Sequence, residues 1–358
     1  MKFDVFFVCE DPHDDADRAY REVLDQIVLA DELGFNGAWL AEHHGSRYGS
    51  APEPAVLLAA AATRTSRIKL GPGVSILPFT HPVHTAAQYA MVDRLSGGRL
   101  AFGTGRGYQP REFDTFGLDA EKSRQMYAES VQIIRGLWEN DTFEFAGEYY
   151  RLPPTSLHPR PAQDRVPMWV AAASPESFAA AADLGVQVFT QPSLRQTMEE
   201  MRTNMNSAID AYLDRGYDRA AVDIPVNIII HLAETTDQAR LQAETPLKWH
   251  FETLQSLAPG AGGTKIAKGY ESYKSYGPLS TSPTAGGSGD GRLSIDSLNR
   301  SGIAIIGDAE YAKAAIARMR DEFDLQHISC FIRFGGIEHE AVERSLRILA
   351  RDVIPEFA

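Results

Sequence analysis

Short apolar runs rich in β-branched and aromatic residues alternate with helical patterns along the chain, and this alternation limits the fold more than any other feature. The runs fall at 2–8 (KFDVFFV), 36–42 (NGAWLAE), 68–76 (IKLGPGVSI), 99–104 (RLAFGT), 167–172 (PMWVAA), 186–190 (VQVFT), 224–232 (IPVNIIIHL) and 327–334 (HISCFIRF). Several are apolar almost throughout, as strands covered on both faces must be. Helical signals fill the gaps. Leu24, Ile27, Val28 and Leu33 mark one face of a helix, Pro54 and Pro82 sit where a first helical turn tolerates proline, and residues 121–139 are amphipathic. A last helix is expected near 338–352. Strand then helix, eight times over, demands a parallel α/β sheet. An open doubly wound sheet and a closed barrel both satisfy that, and eight units in 358 residues favour a (β/α)8 TIM barrel with insertions, a single domain over 1–358.

Two stretches break the rhythm. Residues 140–166 carry alternating aromatics and then prolines, which reads as a small hairpin and a proline-rich approach to the fifth strand. Residues 259–292 are rich in Gly, Ser, Thr and Pro and too long for a passive connection. They read either as a disordered insertion or as a mobile lid after the seventh strand.

Charge and cysteine content remove several classes of function. A net charge of −13 argues against nucleic acid as a partner, because phosphate backbones require a basic footprint. Cys9 and Cys330 match no metal spacing and build no disulfide framework, which fits a reduced, cytoplasmic setting; no metal is expected. The opening apolar run is too short for a signal peptide, and no run reaches the ~18 apolar residues of a membrane helix.

Four constellations carry chemistry. Glu42-His43-His44 ends the second strand, where a barrel places its active site, and an imidazole there can move a proton near neutral pH. Neighbouring strand residues point to opposite faces, so His43 and His44 are not expected to chelate one ion together. Gly71-Pro72-Gly73-Val74 leaves a strand bare, which marks either a bend or the approach of a flat ligand. Gly103-Thr104-Gly105-Arg106-Gly107-Tyr108 fails the dinucleotide fingerprint, since Tyr108 stands at its last glycine; Arg106 reads as a phosphate clamp or a surface ion pair. Ala172-Ala173-Ser174-Pro175 reads as a helix N-cap whose free N–H groups suit a phosphate.

Taken in order, these blocks resemble the bacterial-luciferase-like family of flavin-dependent monooxygenases. The match runs through Gly34-Phe35, Trp39 to His44, Leu77-Pro78, Thr80 to Val83, Asp93 to Arg99, Gly103 to Gly107, Glu112-Phe113, Phe116-Gly117, Val170 to Ser174 and Asp352 to Pro355. The resemblance implies a (β/α)8 barrel that takes reduced FMN from a separate flavin reductase and uses it with O2, through a flavin peroxide, to oxidise a small-molecule substrate. It implies that His43 is catalytic with His44 beside it, and that Glu42 lies near the flavin ring. It further implies that Gly73-Val74 forms a non-prolyl cis peptide under the ring, that Tyr108 stands near it, and that Arg106 with Ala172, Ala173 and Ser174 holds the phosphate. Orientation of His43 would fall to Glu42 or His44. Gly105 replaces the reactive cysteine of light-emitting members and Tyr108 a smaller apolar residue, which points to the broader monooxygenase group. Two alternatives stand beside this reading: an F420-dependent oxidoreductase on the same barrel, and a non-catalytic flavin-binding subunit. The alanine-rich helix at 55–62 is expected to support a homodimer.

Overall fold

Strands buried on both faces need neighbours on both sides and helices over them, and the chain supplies both. The computed structural model describes residues 1–192, 197–270 and 294–358. Parallel strands β1 (Lys2–Phe7), β2 (Gly37–Leu40), β3 (Lys69–Pro72), β4 (Ser75–Ile76) and β5 (Phe102–Gly105) come first. An antiparallel hairpin, β6 (Phe143–Ala146) and β7 (Arg151–Thr155), follows where the aromatic alternation of 140–166 suggested one. Strands β8 (Met168–Ala171), β9 (Gln187–Phe189), β10 (Val226–Leu232), β11 (Ala304–Gly307) and β12 (His327–Arg333) complete the set. The longer helices are α1 (Ala16–Leu33), α2 (Pro54–Arg64), α3 (Pro82–Ser96), α4 (Pro110–Phe116), α5 (Ser123–Glu139), α6 (Pro175–Leu184), α7 (Met198–Leu213), α8 (Thr236–Leu257), α9 (Ile295–Arg300), α10 (Ala309–Phe323) and α11 (His339–Ile348).

The strands pair as β11-β10-β12-β1-β2-β3 and β4-β5-β8-β9. Single parallel bridges, Leu70 to Leu100 and Thr190 to Val226, join the two sheets and close the (β/α)8 barrel. Strands β3 and β4 are halves of one barrel stave, parted at Gly73-Val74, whose peptide bond is cis. The eight-strand reading omitted β11. It pairs with the carboxyl half of β10, on the side where β9 reaches only Val226. Its four residues, AIIG, are too short a run to stand out from sequence alone.

The barrel interior is packed with aromatic rings rather than open, as such barrels are. Trp39 meets Trp169 at 5.4 Å and Phe189 at 5.3 Å, and Phe6 meets Phe189 and Phe331 at 5.9 and 5.6 Å. Glycine makes room for them. A Cβ at Gly71 would lie 1.9 Å from the Ala101 carbonyl oxygen and 2.9 Å from the Trp39 ring. The bare strand at Gly71 is therefore filled by Trp39 from within.

A charged staple closes the amino end. His327, the first residue of β12, places Nε2 2.7 Å from Asp4 Oδ2 and Nδ1 2.8 Å from Asp223 Oδ1. Trp39 and Asn36 also donate to Asp4, and Lys2 pairs with Asp223. Burial works against the imidazolium, but the two carboxylates outweigh it and push the His327 pKa up to about 9.

Of the stretch 259–292, residues up to Tyr270 are described; 271–292, and with them most of the expected lid, lie outside the described residues. Among the described residues no helix is long and apolar enough to cross a membrane.

Candidate active site

The segments that follow β1, β2, β5 and β8 lie at the carboxyl ends of the strands, which is where a barrel gathers its chemistry. Adjacent residues of an extended segment turn to opposite sides, and His43 and His44 accordingly have separate partners. His43 is buried, with Nδ1 3.1 Å from Glu112 Oε1 and 3.1 Å from Gln109 Nε2. Tyr48 packs edge-on to its ring at 4.9 Å and Tyr108 stands perpendicular at 6.0 Å. Among the described residues Nε2 has no hydrogen-bond partner. Glu112 reaches the histidines because it is the third residue of α4, and helical side chains lean toward the amino end. Its Oε1 also accepts the His44 backbone N–H at 2.9 Å.

His44 turns the other way. Its Nε2 lies 3.0 Å from Glu42 Oε1, and its ring packs against Phe116 at 4.8 Å and Phe79 at 5.7 Å. Glu42 Oε2 accepts the Ile76 N–H at 2.9 Å and so ties the end of β2 to β4. Burial raises the Glu42 pKa, with His44 and the Ile76 amide acting against it. His44 is raised too: burial opposes its charge, but bonding to Glu42 and the nearby Glu112 carboxylate prevail. The expectation that Glu42 or His44 orients His43 is therefore corrected. Glu42 has both oxygens engaged elsewhere, and the carboxylate on His43 belongs to Glu112.

Gly73 and Val74 stay half-buried in an otherwise buried run. The side-chain direction at Gly73 is taken by Phe6 and Trp39, while the Val74 methyls lie under Gly105. Arg106 is half-buried two residues beyond Thr104, which pairs with Val170. Ala172, two residues beyond Val170, thus stands at the same level on the neighbouring stave. Ser174 caps α6 through a capping box with Ser177, and Pro175 occupies the first turn, as the sequence suggested. Ala172 is buried; Ala173 is exposed. Arg106 Nη2 donates to the Gly269 carbonyl at 2.6 Å, and its guanidinium lies 4.3 Å above the Tyr270 ring. Tyr270 is itself held by Ser123 at 2.7 Å. Among the described residues no carboxylate pairs with Arg106.

Several site residues escaped the sequence reading. Glu112, Gln109 and Tyr48 are three. Glu10 is a fourth, wholly buried, with Oε1 2.5 Å from His250 Nδ1 and Oε2 accepting the Gly335 N–H. Tyr48 stands between the two histidines, 5.8 Å from the His250 ring. Glu112 stands in the family match as Glu112-Phe113 and is an acidic residue in the first turn of a proline-opened helix, but neither signal assigned it to His43. A groove of about 740 Å³ between α6 and α7, lined by Ala179, Arg202, Asn206 and Asp210, lies apart from these groups.

Comparison with known proteins shows the family. The family profile of luciferase-like monooxygenases matches residues 1–324. Limonene 1,2-monooxygenase of Rhodococcus erythropolis is 27% identical over 96% of this chain and 83% of its own length. The oxygenase component of the flavin-dependent trigonelline monooxygenase of Acinetobacter baylyi is 33% identical over 60% of this chain. The chain spans only 61% of that relative's length, and 51% of the uncharacterized protein y4vJ of Sinorhizobium fredii. Monooxygenase RslO1 from Streptomyces bottropensis superposes over the full length of both chains with a TM-score of 0.83 at 29% identity. The oxygenating constituent of 3,6-diketocamphane monooxygenase from Pseudomonas putida, solved in complex with FMN, has the same fold, with a TM-score of 0.79 at 19% identity over 100% of this chain and 99% of that one. A 5,10-methylenetetrahydromethanopterin reductase of Archaeoglobus fulgidus is 30% identical over 67% of each chain.

Proposed function

Since the chain belongs to the luciferase-like monooxygenases and is an oxidoreductase of that group, we propose that it oxidises a small organic substrate with O2 and reduced FMN delivered by a separate flavin reductase. Arg106 carries this reading. It is a half-buried cation with no carboxylate partner among the described residues, standing level with Ala172 beside the amino end of the ten-residue α6. That donor set suits one phosphate, since guanidinium and helix N–H groups both bind its oxygens. FMN fits the residues present, with the Gly269 carbonyl giving up Arg106 to the phosphate. A relative named as an oxygenase component supports the separate reductase.

When bound, reduced FMN would supply the electron pair that activates O2. The chain does the rest. Arg106 and the Ala172–Ser174 turn hold the phosphate, and half-buried Gly73 and Val74 offer a small, flat seat for the ring. Tyr48 and Tyr108 wall the His43 ring and keep water from it. His43 holds and returns a proton at Nε2, a role that typically contributes 10²–10⁴-fold. Val56, Met91 and Leu95, exposed at 68%, 54% and 50% on α2 and α3, support pairing of two copies through that face.

Product formation tests the reading. With a flavin reductase, NADH and FMN in air, the protein should convert a suitable ketone, aldehyde, terpene or sulfur compound into an oxygenated product that the reductase and free FMN alone do not form. Turnover with reduced F420 under nitrogen, and none with reduced FMN in air, would assign the chain to hydride transfer instead.

A further inference from the structure

Glu112 is a buried carboxylate, about 1% exposed, and among the described residues no lysine or arginine pairs with it. Burying such a charge is costly unless something answers it. Its Oε1 faces the His43 ring and the His44 amide, while Oε2 is buried with no partner among the described residues. A carboxylate only accepts, so the ring proton of His43 belongs on Nδ1, and the Gln109 amide, whose nitrogen and oxygen are interchangeable by a flip, then turns its oxygen to that ring edge. We propose that Glu112 is the positioning residue of His43: it fixes the proton on Nδ1, leaves the Nε2 lone pair free to accept a proton, and balances the imidazolium that results.

The surroundings leave that task to Glu112. Tyr48 and Tyr108 face His43 edge-on from the segments after β2 and β5. His44 has its own carboxylate in Glu42. On α8, His250 lies beyond Tyr48 and is matched by Glu10. The proton taken up at Nε2 is returned within the same turnover, so no co-reactant is consumed.

The consequence for turnover rests on the monooxygenase reading; the state of the ring does not, and the two are measured separately. Imidazole 15N resonances of the flavin-free protein should show neutral His43 protonated on Nδ1. Glu112→Gln keeps an acceptor oxygen and removes the charge, so the Nδ1 proton should stay while kcat falls less than in Glu112→Leu. Glu112→Leu removes both, so the proton should shift toward Nε2 and kcat should fall more than 100-fold with KM within about threefold. A wild-type proton on Nε2, or an Nδ1 proton unmoved in Glu112→Leu, overturns the proposal. A wild type that forms no oxygenated product with reduced FMN and O2 overturns the monooxygenase reading and leaves the Nδ1 result standing.

Discussion

Raising the pH should weaken the fold through one side chain, His327. Its ordinary pKa of 6.5 is raised to about 9 between Asp4 and Asp223, and the ring is 2% exposed, so solvent does little to screen the effect. Below pH 6.5 both folded and unfolded chains hold the proton and the staple contributes in full. Between pH 6.5 and 9 only the folded state keeps it, and stability falls with each unit by about 1.4 kcal/mol. The total is about 3 kcal/mol, gone once the pH passes 9. For 358 residues at about 2 cal/mol/K each, that lowers Tm by roughly 4 °C. His44, also raised, adds to the same trend, so the contribution of His327 is read by difference. Urea unfolding of wild type and His327→Gln across pH 6 to 10 should show the variant less stable by about 3 kcal/mol at pH 6, with the gap closing above pH 9. A gap that is constant across that range would refute the staple.

Three further expectations follow from packing and burial. His231 is pushed down to about 4, chiefly by burial, so stability should fall as pH drops from 6.5 to 4, and His231→Asn should flatten that acid limb in the same titration. Gly71→Ala forces a methyl into the Ala101 carbonyl and the Trp39 ring, and should cost about 3 kcal/mol by urea unfolding. If the face formed by α2 and α3 pairs two copies, Met91→Glu with Leu95→Glu should halve the mass seen by light scattering while leaving Tm within a few degrees.

Much of the barrel was legible because its signals are local. The continuous apolar runs of β10 and β12 announce burial on both faces, and all seven residues of each are buried. Pro54, Pro82 and Pro175 mark helix starts by their own geometry. What failed depended on neighbours. The stretch at 99–104 became a strand only from Phe102, because Arg99 turns outward to bond the Ala62, Thr65 and Ile68 carbonyls. His43 and His44 were placed at the rim by their position after β2. Which carboxylate each would meet was hidden, since Glu112 lies 69 residues from His43 and Glu42 only two from His44. Glu10 and His250, 240 residues apart, meet because β12 pairs with both β1 and β10.

In the proposed function, Arg106 grips the phosphate of a mononucleotide at the rim. The most direct test of that grip is the affinity of wild type and Arg106→Ala for reduced FMN and reduced riboflavin under argon. Charge-assisted bonds of about 1.5–3 kcal/mol should make the variant roughly 10- to 150-fold weaker for FMN and leave riboflavin unchanged. Equal losses for both flavins, or none for either, would contradict the account.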